Sequence, residues 1–150
     1  MKTFTSKNGG RVHLIHLTEG DDLLKSISEA AKTLHIETGI VTSGIGSLRK
    51  VVYHYTNATT EKPQDEFCTV NSVCELVSLQ GIILEGEPHL HGLMTIGGGT
   101  CHSGHVEEGC EVQYLVEISI IEVEDFPVGR RAGKYGTVTH FTWIDEENKQ

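Results

Sequence analysis

The run Cys110-Glu111-Val112-Gln113-Tyr114-Leu115-Val116-Glu117-Ile118-Ser119-Ile120-Ile121-Glu122-Val123 constrains this chain more than any other stretch. Val112, Tyr114, Val116, Ile118 and Ile120 fall on one side of an extended backbone, and the β-branched content opposes a helix. A strand of this length and apolarity belongs in the centre of a sheet, so the rest of the chain must supply its neighbours.

Several segments can do so. Arg11–Leu17 is a short β-rich run, and Val51–Tyr55 is another, reached through Ile40-Val41-Thr42 and a bend of small residues, Ser43-Gly44-Ile45-Gly46-Ser47-Leu48. Cys74–Leu84 and Pro88–Ile96 are strand-like and joined by Glu85-Gly86-Glu87-Pro88, which predicts an antiparallel hairpin. Val138–Trp143 forms a last short strand, and the polar stretch from Thr56 to Asp65 reads as a surface loop. One helix interrupts the pattern. Leu23, Leu24, Ile27, Ala30, Ala31 and Leu34 recur at three- and four-residue intervals after the starting cluster Thr18-Glu19-Gly20-Asp21, whose acidic residues suit the helix dipole, and Gly39 offers a stop. The expected class is α+β: a mostly antiparallel sheet with one principal helix packed against it.

With 150 residues the chain suits a single domain that folds without metals or disulfides to hold it together. Twelve Lys and Arg against 21 Asp and Glu give a formal charge of −9, which repels phosphate backbones and anionic membranes at long range. The N-terminus lacks the apolar core of a signal peptide, and no window approaches the ~20 apolar residues of a membrane span. A soluble cytoplasmic protein is therefore expected. Cys68, Cys74, Cys101 and Cys110 contain no Cys-x-x-Cys pair and read as reduced thiols, mostly buried in strands.

The chemistry lies in three histidines. On a strand, residues i and i+2 face the same side, about 6.6–6.8 Å apart, so His89 and His91 can aim at a common point. Leu90, Met94 and Ile96 then take the opposite face, and the Gly97-Gly98-Gly99-Thr100 turn lets the chain double back and bring His105 alongside. Three neutral imidazoles and a water complete a tetrahedral zinc shell, the arrangement that keeps a position open and lowers the pKa of bound water towards ~7. A single strand histidine is more often a half-buried hydrogen-bonding residue, but three so placed favour a metal.

Cys101 and His102 offer rival donors. His105 ranks first because Gly104 frees its backbone to swing inward, and His102 is expected to face solvent. Glu85, Glu87, Glu107 and Glu108 are candidates for a general base, although at least three of them read as hairpin-end surface charges. His13, His16, His35, His54 and His140 show no ligand spacing, although folding could bring His13 or His54 to the site. Ser43 lacks the Gly-x-Ser-x-Gly elbow, and the glycines around it match no nucleotide-binding fingerprint.

Taken in order, Gly20-Asp21-Asp22, Ser43-Gly44-Ile45-Gly46-Ser47-Leu48, Glu75-Leu76-Val77-Ser78-Leu79-Gln80-Gly81, Pro88-His89-Leu90-His91 and Gly104-His105-Val106 resemble the plants-and-prokaryotes-conserved (PPC) domain in its free-standing prokaryotic form. The resemblance covers about Arg11 to Val123, leaving 124–150 as a C-terminal extension of one PPC-like domain. It implies a sandwich-like α+β fold assembled as a homotrimer, with His89, His91 and His105 as ligands of zinc or, alternatively, another divalent transition metal. Here Cys101-His102 precedes Ser103-Gly104-His105, where the usual pattern is Gly-Gly-His.

The family's DNA-binding label comes from plant relatives that carry an AT-hook, an Arg-Gly-Arg-Pro element lying in the A·T minor groove. This chain has none. Its densest basic cluster, Arg130-Arg131-Ala132-Gly133-Lys134, reads as a solvated tail or loop, so charge disfavours DNA as a partner. Cupins also use a His-x-His strand, but the following glutamate they require is replaced here by Met94 and Thr95. The expected function is thus metal binding with an open position facing a small-molecule pocket near the Ser43–Ser47 bend. A DNA-associated or regulatory interaction module is the first alternative, and a structural trimer without metal the second.

Overall fold

The computed structural model describes residues 10–58, 64–133, 136 and 138–144. The first strand, β1 (Val12–Thr18), leads into α1 (Leu23–Leu34), and six more strands follow: β2 (Thr38–Thr56), β3 (Asp65–Val70), β4 (Cys74–Leu84), β5 (Glu87–Ile96), β6 (Thr100–Val106) and β7 (Glu111–Glu122). These seven strands form one antiparallel sheet in the order β1-β7-β2-β4-β5-β6, with β3 also paired to β2. A separate ribbon of β8 (Val128–Ala132) and β9 (Thr139–Trp143) ends the described chain. Among the described residues, the antiparallel sheet with one principal helix agrees with expectation.

The long strand β2 organises everything else. Its first half pairs with β4 on one edge and β7 on the other, and its second half pairs with β3 and β6. Because β4, β5 and β6 are consecutive neighbours, the contact of β6 with Tyr53 and His54 closes a ring of strands back onto β2. The small-residue segment Ser43–Ser47, read as a glycine-mediated bend in a strand, lies inside β2, which is continuous through it but carries register shifts between Val41 and Ser43, Gly46 and Leu48, and Leu48 and Lys50; a side-chain carbon at Gly46 would lie 2.2 Å from the Leu115 carbonyl oxygen.

Those shifts also correct the reading of β7. The stretch Val112 to Val116 spans only Leu48 to Gly46 on β2, so β7 bulges and Tyr114 turns outward, 70% exposed, while Val112, Val116, Ile118 and Ile120 stay buried. No residue of strand β3 is buried: Asp65, Glu66, Phe67 and Thr69 are exposed and Cys68 and Val70 half-buried, so it carries too little apolar signal to be expected. Residues 59–63 of the predicted loop, Met1–Gly9 and Lys134 lie outside the described residues.

Helix α1 buries Leu23, Ile27 and Ala31 against the sheet. Its N-cap is Asp22, whose side chain accepts from the Lys25 amide at 3.1 Å and from the Gly109 amide at 2.7 Å, tying the helix start to the β6–β7 turn. Asp21 instead accepts from Thr18 in the preceding turn, and no acidic residue occupies the first helical turn. The helix ends at a left-handed His35 (φ 57°), not at Gly39, which lies inside β2 where a side chain would meet Ile36 and Ile120. Of the thiols, Cys74 and Cys110 are buried, Cys68 is half-buried and Cys101 is exposed. Among the described residues no helix is long and apolar enough to cross a membrane.

Candidate metal centre

Strand pairing brings the three predicted histidines together. In the β4–β5 hairpin His89 stands opposite Ile82, and in the next pair His91 stands directly opposite His105. Leu90 and Met94 occupy the other face and are buried, so the alternation of β5 sends both histidines outward. Two glycines permit the close approach. A side-chain carbon at Gly81 would lie 2.0 Å from the His89 carbonyl oxygen, and one at Gly104 would lie 2.4 Å from the His54 carbonyl oxygen. Gly104 thus serves by leaving space for β2 rather than by freeing the backbone to swing.

One donor nitrogen from each of His89, His91 and His105 lies within 4.8 Å of the other two. The Nε2 atoms of His89 and His91 are 3.4 Å apart, with their rings nearly parallel at 10°. Two ligands of a tetrahedral zinc with Zn–N near 2.0–2.1 Å stand about 3.3–3.4 Å apart, so this pair already has the required separation. The His105 ring sits edge-on to both, with centroids 4.6 Å from His89 and 5.5 Å from His91. The donor set therefore fits a divalent transition metal.

Electrostatics favour the ligating form of the imidazoles. Burial pushes His105 down to about 4, helped by His89 and His54 and opposed by Glu107. His89 is lowered as well, first by lost hydration and then by the charge of Arg130. At neutral pH both rings are uncharged and can offer lone pairs to a cation.

Three further residues join the site without having been placed there by spacing. His54 lies opposite His105 across the β2–β6 contact and stacks on it at 4.4 Å, while its Nδ1 is 2.6 Å from Glu107 Oε1. His54, His105 and Glu107 form a second donor group that shares His105 with the first. Glu107 was one of four general-base candidates; of the others, Glu85 pairs with Arg131 and Glu108 with Lys25. Arg130 reaches the site from β8. Far from being a solvated tail, it donates to the carbonyls of Ile82 (2.7 Å) and Glu87 (3.1 Å).

The rival donors are directed elsewhere. His102 points to the opposite face of β6 from His105 and is half-buried, with Nδ1 3.0 Å from the Tyr53 hydroxyl, whereas Cys101 is exposed opposite Thr95. The cavity over the histidines, about 560 Å³, is lined by His54, Asp65, His89, His91, His105 and Arg130 among others. The Ser43–Ser47 segment does not line it. Ser43 and Ile45 instead border a separate hollow of about 310 Å³ with Leu14 and Ile118.

This combination of fold and site defines a protein class. The model of the Plants and Prokaryotes Conserved (PCC) domain matches residues 4–124, and the chain belongs to that family. A plant- and prokaryote-conserved protein from Pyrococcus horikoshii shares the fold with a TM-score of 0.78 and 30% identity, over 93% of this chain and 96% of that one. A metal-containing protein from Archaeoglobus fulgidus superposes with a TM-score of 0.79 at 23% identity, covering 95% of this chain and 99% of its own. A Bacteroides thetaiotaomicron protein that carries a provisional DNA-binding label has a TM-score of 0.73 at 16% identity, covering 95% of this chain and 99% of that one. In sequence, bifunctional protein GlmU from Synechococcus sp. JA-3-3Ab is 24% identical over 121 residues, 81% of this chain but 18% of that protein's length. The chain thus spans less than a fifth of this curated relative.

Proposed function

We propose that this chain is a metal-binding PPC-domain protein that holds one divalent transition metal, zinc foremost, through His89, His91 and His105. The single observation carrying this reading is the convergence of three imidazole nitrogens within 4.8 Å on the floor of an open cavity. Three protein ligands leave a coordination position for water or a small ligand, and a divalent ion there supplies Lewis acidity towards a ligand oxygen. The metal-containing A. fulgidus neighbour supports the same reading.

The domain is proposed to comprise residues 1–150, with its core at about 11–123 and the extension 124–150 contributing Arg130 to the site. It works as a homotrimer in the cytoplasm. Val12 (65% exposed), Leu14 (82%) and Tyr114 (70%) supply apolar surface for subunit contacts, and four unpaired thiols suit a reducing compartment.

Elemental analysis of the purified protein and of His89→Ala/His91→Ala tests the metal assignment. About one equivalent in the wild type and none in the variant is expected. Equal content in both removes these ligands, and absence from both leaves a structural assembly without metal.

The provisional DNA-binding label of the B. thetaiotaomicron neighbour supports a rival reading. Against it stand the formal charge of −9 and the engagement of Arg131 by Glu85. Binding to duplex DNA that weakens steeply with salt would favour the rival.

A further inference from the structure

Arg130 is a half-buried cation whose charge is not neutralised by the residues that hold it. Its two hydrogen bonds go to uncharged backbone carbonyls, Ile82 and Glu87. Among the described residues no carboxylate lies within ion-pair distance. Glu85, whose charge does reach it, is bound by Arg131 at 2.6 and 3.1 Å. A guanidinium carries five N–H donors, so roughly three remain after these two bonds.

The position of this charge is specific. Arg130, His89, His91 and Thr139 line both the cavity over the three histidines and an adjoining one of about 560 Å³ walled by Ile40, Ile82 and Phe141. The two hollows meet at the cation and at two of the proposed ligands. With a divalent metal and a guanidinium, this corner of a −9 protein would carry a concentrated positive charge. Besides Glu85, which Arg131 binds, its neighbouring carboxylates are Asp65 and Glu107: Asp65 accepts from Thr56 at 3.1 Å, and Glu107 is held by His54 at 2.6 Å. Neither is paired with Arg130.

We infer that Arg130 and the open position at the three-histidine centre together form a binding site for a small oxyanion, one oxygen facing the metal and another received by the guanidinium fork. The shared chemistry is that of carboxylates and phosphate monoesters, both of which match arginine's paired donors. A cavity of this size suits a small molecule carrying such a group. Arg130 is a binding residue here and also fixes the ligand's orientation relative to the metal. The inference rests on the metal-binding reading above.

The test is calorimetric titration of metal-loaded protein with inorganic phosphate and, separately, with acetate, using potassium chloride as the ionic-strength control. Metal content is measured first on every sample. The wild type should bind at least one of the two oxyanions more tightly than chloride, and the preferred one identifies the phosphate or the carboxylate class. Arg130→Gln should keep its metal yet lose about tenfold or more in that affinity. Lys25→Gln, which removes an equal charge from a residue lining neither cavity, should bind as the wild type does.

A wild type that carries no metal overturns the metal-binding reading. A metal-loaded wild type that prefers neither oxyanion over chloride overturns this inference alone, whether or not any variant folds. Equal oxyanion affinity in wild type and Arg130→Gln does the same.

Discussion

His54 stacks on His105, its direct cross-strand partner, with ring centroids 4.4 Å apart and planes 21° from parallel. His105 therefore belongs to two donor groups at once, one with His89 and His91 and one with His54 and Glu107. Removing His54 distinguishes them. His54→Phe keeps an aromatic ring against His105 but deletes a donor, so one equivalent of metal should remain, bound with an affinity about tenfold weaker at most. Loss of the metal as complete as that from His89→Ala/His91→Ala would move the ion to the second group.

Acid should destabilise the metal-free protein through His105. Its imidazole is held near 4, against an unfolded value of about 6.5, so between these limits the unfolded chain binds more protons and is favoured as pH falls. The stability from this group is present above about pH 6.5 and gone below about pH 4, with an expected size of order 1–2 kcal/mol after allowance for partial exposure. Urea unfolding at pH 7 and pH 4.5 measures the difference. His105→Gln should reduce the pH dependence, while the depressed carboxyl of Glu85 continues to act at lower pH.

Thiol reactivity should follow burial. The Cys110 thiol donates to the Val52 carbonyl at 3.2 Å, and burial pushes it up to about 11, leaving almost no thiolate at neutral pH. Cys101 is exposed. A disulfide reagent at neutral pH should label Cys101 rapidly and Cys110 only on unfolding; fast labelling of Cys110 in folded protein would contradict the packing of the β6–β7 turn.

The proposed trimer has its own test in Leu14, 82% exposed on the outermost strand β1. With Val12, 65% exposed two residues earlier on the same strand, Leu14 leaves apolar surface on this edge that the proposed trimer would cover. Leu14→Asp should shift the mass measured by light scattering from trimer to monomer without loss of secondary structure. An unchanged mass would exclude β1 from the contact.

Much of this arrangement could be read from local pattern, because strand alternation is a short-range property. The faces of β5, the hairpin it makes with β4 and the return of His105 all follow from residues close in sequence. What escaped depends on the closure of β6 onto β2, which sets His54 opposite His105 across fifty residues that carry no shared periodicity. Arg130 escaped for a similar reason: two adjacent arginines look like a solvated cluster until the carbonyls of Ile82 and Glu87 receive one of them. The outward turn of Tyr114 needed the register shift between β2 and β7, which depends on both strands together.

That closure can be challenged at Gly104. A methyl group there would lie 2.4 Å from the His54 carbonyl oxygen and 2.9 Å from the Tyr53 ring, and the first of these neighbours is backbone that cannot rotate away. Gly104→Ala must therefore push β6 from β2 and disturb the Tyr53–Val106 and His54–His105 pairs. The expected cost is about 1–3 kcal/mol in chemical unfolding. Metal affinity should fall too, since His105 rides on the displaced strand and a three-ligand centre tolerates only about 0.5 Å of misplacement. Gly99→Ala is the control. It sits in the β5–β6 turn with nothing within 4 Å of the added carbon, so stability should change by no more than about 0.5 kcal/mol. If the two variants lose stability and metal equally, the β2–β6 contact is not what holds His105 at the centre.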